Sequence, residues 1–335
     1  MTQRHAPRPA GVRLAGTGMA VPSRTLTNHD LEKIVETSDK WITQRTGIKE
    51  RRIVDNGTGV RDLACESLQA ALDSAGLAAN QLDMVILATL TPEMPCPSTA
   101  AQLVDQIGAT PAGAMDLSAA CSGFVYGMNL ASSLIESGQY KRVAVVGAET
   151  LSKVTDYTDR RTCVLFGDGA GAAILAADDD AERGCLYQAM RSDGGYWPEL
   201  YLPREEANLP AGCDHFTGHF NTLQMNGREV YKFAVTTTLN IIDETLQNAG
   251  VTPDDLAMVI PHQSNRRILE SAREKMGLSE EKMCVNIDRY GNTSAASVPI
   301  CLREMVQAGK IKDNDLVLFL AIGGGMTWAS SLWRL

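Results

Sequence analysis

The sequence predicts an α/β protein that is built from two similar halves. Apolar runs typical of buried strands alternate along the chain with alanine-rich stretches of helical character. One helix–strand pattern also occurs twice, which indicates an internal repeat. Strands that alternate with helices favour layers of helices packed on sheets. The length of 335 residues suits two domains or one duplicated unit.

The predicted elements follow from the residues in order. Four short apolar runs are expected to be buried strands: residues 84–88, 143–147, 258–260 and 316–321. Four alanine-rich stretches between them are expected to be helices: residues 61–75, 123–137, 231–249 and 294–308.

The internal repeat indicates which parts of the two halves correspond. The pattern Ala-Gly, then Leu, then Met-Val-Ile occurs in residues 75–86 and again in 249–260, at an offset of 174. A second match places Gly138 against Gly309, at an offset of 171. Ala-Gly helix ends are common in α/β proteins, but two collinear matches favour duplication. Applying the second offset pairs Cys121 with Asn292, so both are expected to open the equivalent helix of their half.

We therefore predict an N-terminal half at residues 1–180 and a C-terminal half at 181–335. Hydrophobic residues make up 44% of the chain, as expected for a folded protein, and the net charge of −9 argues against nucleic-acid binding. The polar, proline-rich start does not resemble a signal peptide, and no apolar run is long enough to span a membrane. The eight cysteines show no CxxC pair, which predicts reduced thiols in the cytoplasm and no metal site.

Cys121 is the first candidate for chemistry. It lies between a short apolar strand and a predicted helix, in the run Asp-Leu-Ser-Ala-Ala-Cys-Ser-Gly-Phe. A thiol at a helix N-terminus feels the positive end of the helix dipole, which lowers its pKa and favours the nucleophilic thiolate. The alternative is a small buried side chain, the usual state of a free cysteine.

Three further segments supply partners for a nucleophile. His262 follows the strand at 258–260, and strand ends are where α/β sheets bind ligands. Asn292 lies in the run Tyr-Gly-Asn-Thr-Ser, and Gly323-Gly-Gly offers backbone N–H groups of the kind that form an oxyanion hole. Each has an ordinary alternative: a structural histidine, a helix N-cap and a tight turn. His215 and His219 are four residues apart, but their loop-like surroundings argue against a metal site.

Seven segments in order make the chain resemble the β-ketoacyl-acyl-carrier-protein synthase III family, the initiating condensing enzymes of fatty-acid synthesis in the thiolase superfamily. The resemblance runs from about residue 12 to the C-terminus. Any one segment is weak, but the ordered set is specific. The segments are residues 37–48, 119–124, 166–172, 225–230, 262–268, 290–297 and 323–328.

The resemblance implies a duplicated thiolase-like fold, layered α-β-α-β-α, with two mixed sheets related by a pseudo-twofold axis. It implies a Cys121–His262–Asn292 catalytic triad, which makes a 3-oxoacyl product from an acyl-CoA primer and malonyl-carrier protein. We expect the N–H groups of Cys121 and Gly324 to form the oxyanion hole. The family is homodimeric and uses no metal or redox cofactor.

The resemblance also assigns residues around the site. Trp41 and Arg45, which are one helical turn apart, are expected with Arg160 and Thr37 at the coenzyme A entrance, and Arg267 and Lys232 are expected to dock the acyl carrier protein. Cys96 departs from the family, which often has a bulky aromatic there that closes the acyl tunnel across the dimer; Ala329 replaces a usual glycine.

Three other functions remain open from the residues. A secondary-metabolite acyltransferase or condensing enzyme on the same scaffold would also carry an acyl group on the cysteine. A cysteine hydrolase would release free acid. A non-catalytic carrier-binding protein is disfavoured because all three triad positions are filled.

Overall fold

The computed structural model describes residues 11–212 and 214–335. The first half contains β1 (Gly11–Ala20), β2 (Thr25–Thr27), α1 (Asn28–Leu31), α2 (Asp39–Thr46), β3 (Glu50–Arg52), α3 (Val60–Ala75), β4 (Met84–Ala88), α4 (Thr99–Gln106), β5 (Gly113–Leu117), α5 (Gly123–Glu136), β6 (Arg142–Thr150) and β7 (Asp168–Asp178). The second contains β8 (Gly184–Ser192), β9 (Leu200–Tyr201), β10 (Gln224–Met225), α6 (Gly227–Ala249), β11 (Met258–Pro261), α7 (Arg266–Met276), α8 (Ile287–Tyr290), α9 (Ser297–Gln307), β12 (Leu316–Gly323) and β13 (Thr327–Arg334).

The two main sheets have the same strand order. The first runs β1-β7-β6-β4-β5, with β4, β5 and β6 parallel and β1 and β7 antiparallel to their neighbours. The second runs β8-β13-β12-β11, with β11 and β12 parallel and the other pairs antiparallel. A single parallel bridge between Val259 and Met283 stands where the first sheet has β5. The predicted duplication and the mixed sheets are confirmed.

Alternating residues on the strands build the layers. Val85 and Leu87 pack with α3 and α4 on the outside of the first sheet, whereas Ile86 between them packs against α5. In the second sheet Leu318 faces α6 and α7, and Phe319 faces the centre. Because successive side chains on a strand point to opposite faces, each strand contributes to two cores. The helices α5 and α9 form the shared central layer, which confirms the α-β-α-β-α order.

The predicted element boundaries are largely confirmed. Strands β4, β6, β11 and β12 contain the four predicted runs, and α3 and α5 match two predicted helices to within one residue. The helix α6 begins at Gly227, four residues before the prediction. The helix α9 begins at Ser297 rather than at 294, because residues 294–296 form a 3₁₀ turn. The chain leaves the first sheet after β7 and enters the second sheet at β8. This supports the predicted boundary between the two halves at residues 180/181, which stays a prediction.

The pairing of Cys121 with Asn292 is wrong. Met84 lies opposite Val143 in the first sheet, and Met258 lies opposite Val317 in the second, so both strands keep the offset of 174. The 3₁₀ turns 120–122 and 294–296 keep it too. The offset falls to 171 only at the helix ends, because α9 is three residues shorter than α5.

The residue equivalent to Cys121 is therefore Ala295. Asn292 lies three residues before it and does not open the helix. The turns themselves are equivalent in backbone conformation, since Ala120 has φ +46° and Ser294 has φ +48°.

Among the helices of the described ranges, none combines the length and apolar character needed to cross a bilayer.

Candidate active site

A cavity of about 840 Å³ brings the predicted chemical residues together. Cys121, His262, Asn292 and Gly324 all line it, although they come from four separate segments of the chain. Cys121 follows β5, His262 follows β11, and Gly324 follows β12. Strand ends converge here because the two sheets face each other across α5 and α9. The sequence predicted this grouping, and the described geometry brings it about.

The turn that carries Cys121 is held against the start of β13. The Thr327 hydroxyl donates to the carbonyl of Ala119 at 2.9 Å, and the Ser122 hydroxyl donates to the carbonyl of Thr327 at 3.1 Å. Ala120 occupies the left-handed region, which costs a non-glycine residue on the order of 1–3 kcal/mol. The surrounding bonds maintain this strained turn and so fix the position of the sulfur.

Two backbone N–H groups face the Cys121 sulfur. They belong to Cys121 itself and to Gly324, the two donors predicted for the oxyanion hole. The neighbouring Gly323 must be glycine, because a Cβ there would lie 2.7 Å from the Cys121 nitrogen and 2.9 Å from the Ala119 oxygen. The close approach of the two turns therefore depends on the missing side chain.

The predicted low pKa of Cys121 is wrong. Burial raises the pKa of this thiol to about 12, and the polar groups nearby, the Ser294 hydroxyl and the two backbone N–H groups, offset only part of that rise. Removing water disfavours the thiolate more than the local donors favour it. In this state Cys121 is a buried thiol that must lose its proton in order to react.

His262 is neutral and its ring is oriented by a serine. Full burial lowers the pKa of His262 to about 3. The His262 Nδ1 atom lies 2.7 Å from Ser297 Oγ, which also accepts from the N–H of Gln263 at 3.3 Å. Since that acceptance leaves the hydroxyl hydrogen for Nδ1, we assign the proton of His262 to Nε2. The ring then presents an N–H donor.

Asn292 presents a donor as well. Its Oδ1 atom accepts from the N–H of Ser294 at 2.8 Å. Its backbone is pinned on both sides, donating to the carbonyl of Leu165 at 2.9 Å and accepting from Gly167 at 3.0 Å. With Oδ1 engaged, the Nδ2 group remains for the cavity that Asn292 lines. His262 and Asn292 therefore supply two neutral N–H donors.

The mouth of the cavity contains part of the predicted coenzyme A set. Trp41 and Arg45 line it. Arg160 is not among the lining residues; its guanidinium carbon lies 5.6 Å from the centre of the Trp41 ring, and the neighbouring Arg161 lines the cavity instead. Thr37 precedes α2 and is not in the lining. The structure thus brings together two of the four predicted residues, with Arg160 stacked behind one of them.

The two residues predicted to dock a carrier protein differ in position. Arg267 lines the mouth, where its guanidinium carbon lies 5.5 Å from the centre of the Tyr231 ring. Lys232 is exposed on α6 and does not line the cavity. The α7 helix that carries Arg267 is joined to α2 by a hydrogen bond from Asn265 Nδ2 to the carbonyl of Arg45, at 3.0 Å.

A smaller chamber of about 230 Å³ extends from Cys121 and is mainly apolar. Its lining includes Leu90, Phe166, Leu202 and Leu223. Cys96 is exposed and belongs to neither chamber of this single chain. Its predicted role at the end of an acyl tunnel, across a dimer, stays a prediction.

Sequence reasoning missed three polar residues beside the triad: Glu149, Ser294 and Ser297. The two serines lie in the segment 290–297, from which the sequence analysis predicts a role for Asn292 alone. Glu149 is fully buried at the end of β6. A carboxylate two residues after the apolar run 143–147 is the sequence signal for it, since buried carboxylates require partners.

Comparison with known proteins agrees with this geometry. Residues 115–194 match the family profile of 3-oxoacyl-[acyl-carrier-protein] synthase III, and residues 246–335 match that of its C-terminal part. The chain is 48% identical over 319 residues to a β-ketoacyl-[acyl-carrier-protein] synthase III of Caldanaerobacter subterraneus subsp. tengcongensis, covering 95% of this chain and 96% of that one.

Solved structures give the same result. The 3-oxoacyl-[acyl-carrier-protein] synthase III of Aquifex aeolicus matches with a TM-score of 0.89 and 45% identity, over 97% of this chain and 100% of that one. The priming β-ketosynthase of the R1128 polyketide pathway matches with a TM-score of 0.91 and 29% identity, over 100% and 99% of the two chains. This chain belongs to the 3-oxoacyl-[acyl-carrier-protein] synthase III family.

Proposed function

We propose that this protein catalyses the decarboxylative condensation of a short acyl-CoA primer with malonyl-acyl-carrier protein, giving a 3-oxoacyl-carrier protein. One observation carries the proposal: a buried thiol faces two oxyanion donors in a cavity that also contains two neutral N–H donors. A hydrolase would need a base that activates water, and His262 is held neutral with a low pKa.

In the first half-reaction Cys121 attacks the thioester carbonyl of the primer. The N–H groups of Cys121 and Gly324 stabilise the oxyanion of the tetrahedral intermediate, and losing one such donor typically costs about 3 kcal/mol. Coenzyme A leaves and an acyl-enzyme remains. The apolar chamber of about 230 Å³ beside Cys121 provides room for the acyl chain.

In the second half-reaction the malonyl group loses carbon dioxide. His262 Nε2–H and Asn292 Nδ2–H donate to the thioester oxygen as enolate charge develops, and the resulting carbanion attacks the acyl group on Cys121. Neutral donors suit this step, because decarboxylation itself generates the carbanion. The orientation of both donors by Ser297 and by the Ser294 amide supports this role.

The surroundings complete the proposal. Trp41 and Arg45, with Arg160 behind them, would hold the nucleotide end of coenzyme A by stacking and charge. Arg267 would meet the acidic carrier protein at the mouth, with Lys232 nearby on α6. We further propose a cytoplasmic homodimer without metal or redox cofactor. The described cysteines are free thiols, which supports a reducing compartment.

The test is transfer of radiolabel from acetyl-CoA. Wild type and the control Cys65→Ala should take up acid-stable label, whereas Cys121→Ala should take up none. Asn292→Ala should acylate normally but fail to release carbon dioxide from malonyl-carrier protein. Label that survives in Cys121→Ala, or acylation lost in Asn292→Ala, would contradict the assigned roles.

A second candidate is a priming condensing enzyme of secondary metabolism. The structural match to the R1128 priming ketosynthase favours keeping it. Product masses from a panel of acyl-CoA primers of increasing length and branching, each with malonyl-carrier protein, would separate the two. A marked preference for long or branched primers would favour the second candidate.

A further inference from the structure

Two leucines in the wall of the acyl chamber lie beside the ends of neighbouring strands. Leu90 follows β4 by two residues, and Leu151 follows β6 directly. Both line the chamber of about 230 Å³ next to Cys121, and Leu90 packs against the apolar cluster that contains Leu151, Phe166 and Leu223. The distance between the two strand ends therefore helps to determine the room available beside the nucleophile.

Regular strand pairing does not set that distance. The parallel ladder between β4 and β6 ends at Ala88, which lies opposite Gly147. Beyond it β6 continues along β7 to Thr150, whereas residues 89–98 leave the sheet as the loop that leads to α4. Because a buried backbone N–H without a partner is costly, the buried start of this loop needs hydrogen bonds from outside the ladder.

Glu149 provides those hydrogen bonds. It is fully buried near the end of β6. Both of its carboxylate oxygens lie 3.2 Å from the backbone nitrogen of Leu90. Its Oε2 atom accepts from Thr91 Oγ1 at 2.7 Å and from Thr89 Oγ1 at 3.3 Å. One side chain thus holds three consecutive residues of the loop.

The threonine hydroxyls complete a link between the two strand ends. Thr91 Oγ1 accepts from the N–H of Thr150 at 3.0 Å, and Thr89 Oγ1 accepts from the N–H of Thr91 at 3.1 Å. Since each oxygen accepts from a backbone N–H, its own hydrogen is available for Glu149. The described hydrogen bonds of the carboxylate therefore all come from donors, which hold it in one orientation.

We propose that Glu149 is a positioning residue that selects the primer by size. The link runs through Thr91 and Thr150, which are the direct chain neighbours of Leu90 and Leu151. It therefore fixes the two leucines relative to each other, and with them the shape of the chamber that they line. A fixed apolar wall rejects a longer chain, because that chain would have to displace packed side chains. This role deepens the proposed function and rests on the chamber receiving the acyl chain of an acyl-CoA.

The experiment measures kcat/KM for acylation of Cys121 by a straight-chain series from acetyl-CoA to octanoyl-CoA. Wild type should show a sharp fall at one chain length. In Glu149→Gln a single acceptor oxygen has to serve three donors, so the start of the loop is released. The preference for acetyl-CoA over the first primer that wild type rejects should then fall about tenfold, the lower end of what one methylene is worth in a hydrophobic pocket.

Two variants of Thr91 test the link independently of any change at Glu149. Thr91→Val removes the hydroxyl that joins Glu149 to Thr150, so it should reduce the same preference. Thr91→Ser keeps the hydroxyl and should keep the wild-type preference. A general loss of folding would lower the rate for every primer alike and would leave the ratio between primers unchanged.

Glu304→Gln is the matched control. Glu304 is likewise a carboxylate that several donors hold, and these belong to Asn286, Arg289 and Tyr290. None of these three described residues lines either chamber. The control should keep the wild-type profile. An unchanged preference in Glu149→Gln or in Thr91→Val, the same loss in Glu304→Gln, or a wild type that accepts the whole series equally would overturn the proposal.

A second probe separates this proposal from the proposed function. Straight-chain alkyl methanethiosulfonates transfer an alkylthio group to a thiol, with methanesulfinate as the leaving group, and need no thioester. Mass spectrometry of the peptide that contains Cys121 gives the chain length at which modification falls. A length limit that depends on Glu149, in a protein that takes no label from acetyl-CoA, would refute the proposed function alone. Normal acylation with a length limit that does not depend on Glu149 would refute the positioning role alone.

Discussion

The turn that carries Cys121 and the turn that leads into α9 have the same backbone but different side chains. Both are 3₁₀ turns that begin with a left-handed residue, Ala120 in one and Ser294 in the other. The position of the Cys121 sulfur corresponds to the methyl group of Ala295. The second turn instead contributes the Ser294 hydroxyl, and Asn292 just before it.

The same contrast appears where each turn meets its strands. In the first half Gly123 packs on Ala88, and a Cβ on that glycine would lie 2.9 Å from the Ala88 methyl group. The equivalent residues of the second half, Ser297 and His262, form the 2.7 Å hydrogen bond. Duplication therefore provided one scaffold, while one half specialised in the nucleophile and the other in the groups that serve it.

The two halves differ most in the space beside the Cys121 turn at Gly323, the equivalent of Glu149 in the first half. The first half accommodates the Glu149 side chain at this position, but a Cβ at Gly323 would collide with the Cys121 nitrogen. Gly323→Ala should lower the acylation rate on the order of 100-fold, because it displaces an oxyanion donor. Gly194→Ala, where a Cβ meets nothing within 4 Å, is the control for stopped-flow measurement of coenzyme A release. Equal rates in the two variants would refute the role of Gly323.

Ser297 tests the hydrogen bond that its counterpart Gly123 lacks. Ser297→Ala removes the partner of His262 Nδ1, so the Nε2–H donor is no longer fixed. Condensation should slow about tenfold, less than the roughly 10²–10⁴-fold that a general acid or base typically contributes, because the His262 ring itself remains. Acylation should be unchanged, because His262 takes no part in it. Rates of carbon dioxide release and of radiolabel uptake measure the two steps separately. An equal fall in both would indicate a general structural defect.

A further effect is on stability, and it comes from burying a histidine where the first half has Ala88. The pKa of His262 is lowered in the folded state, so its stabilising contribution is present above about pH 6.5 and is lost as the pH falls towards 3. Between pH 6 and 4, the free energy of unfolding of wild type, measured with urea, should fall as the pH falls. The fall should be steeper than that of His262→Gln by about 1.4 kcal/mol per pH unit. Parallel pH dependences would show that His262 takes up its proton without unfolding.

Much of the fold could be predicted because its signals are local. The strand runs and most helix ends are encoded by residues close in the chain, so β4 and α3 were placed correctly. The predicted equivalent of Cys121 is wrong because the position of a glycine at a helix end depends on the length of the helix as well as on where it begins. Since α9 is three residues shorter than α5, Gly309 matches Gly138 at an offset of 171, whereas the turns before the two helices keep the offset of 174.

The sequence alone determined the reactive residue types, their order and the duplicated α/β scaffold. Tertiary structure decided the electrostatics: the pKa of Cys121 is raised because surrounding segments exclude water, which no local pattern records. The fold also brings together polar residues that lie far apart in the chain, since Cys121, His262 and Asn292 line one cavity only because the two sheets face each other. Local sequence encodes the elements, whereas solvation depends on what the fold brings into contact.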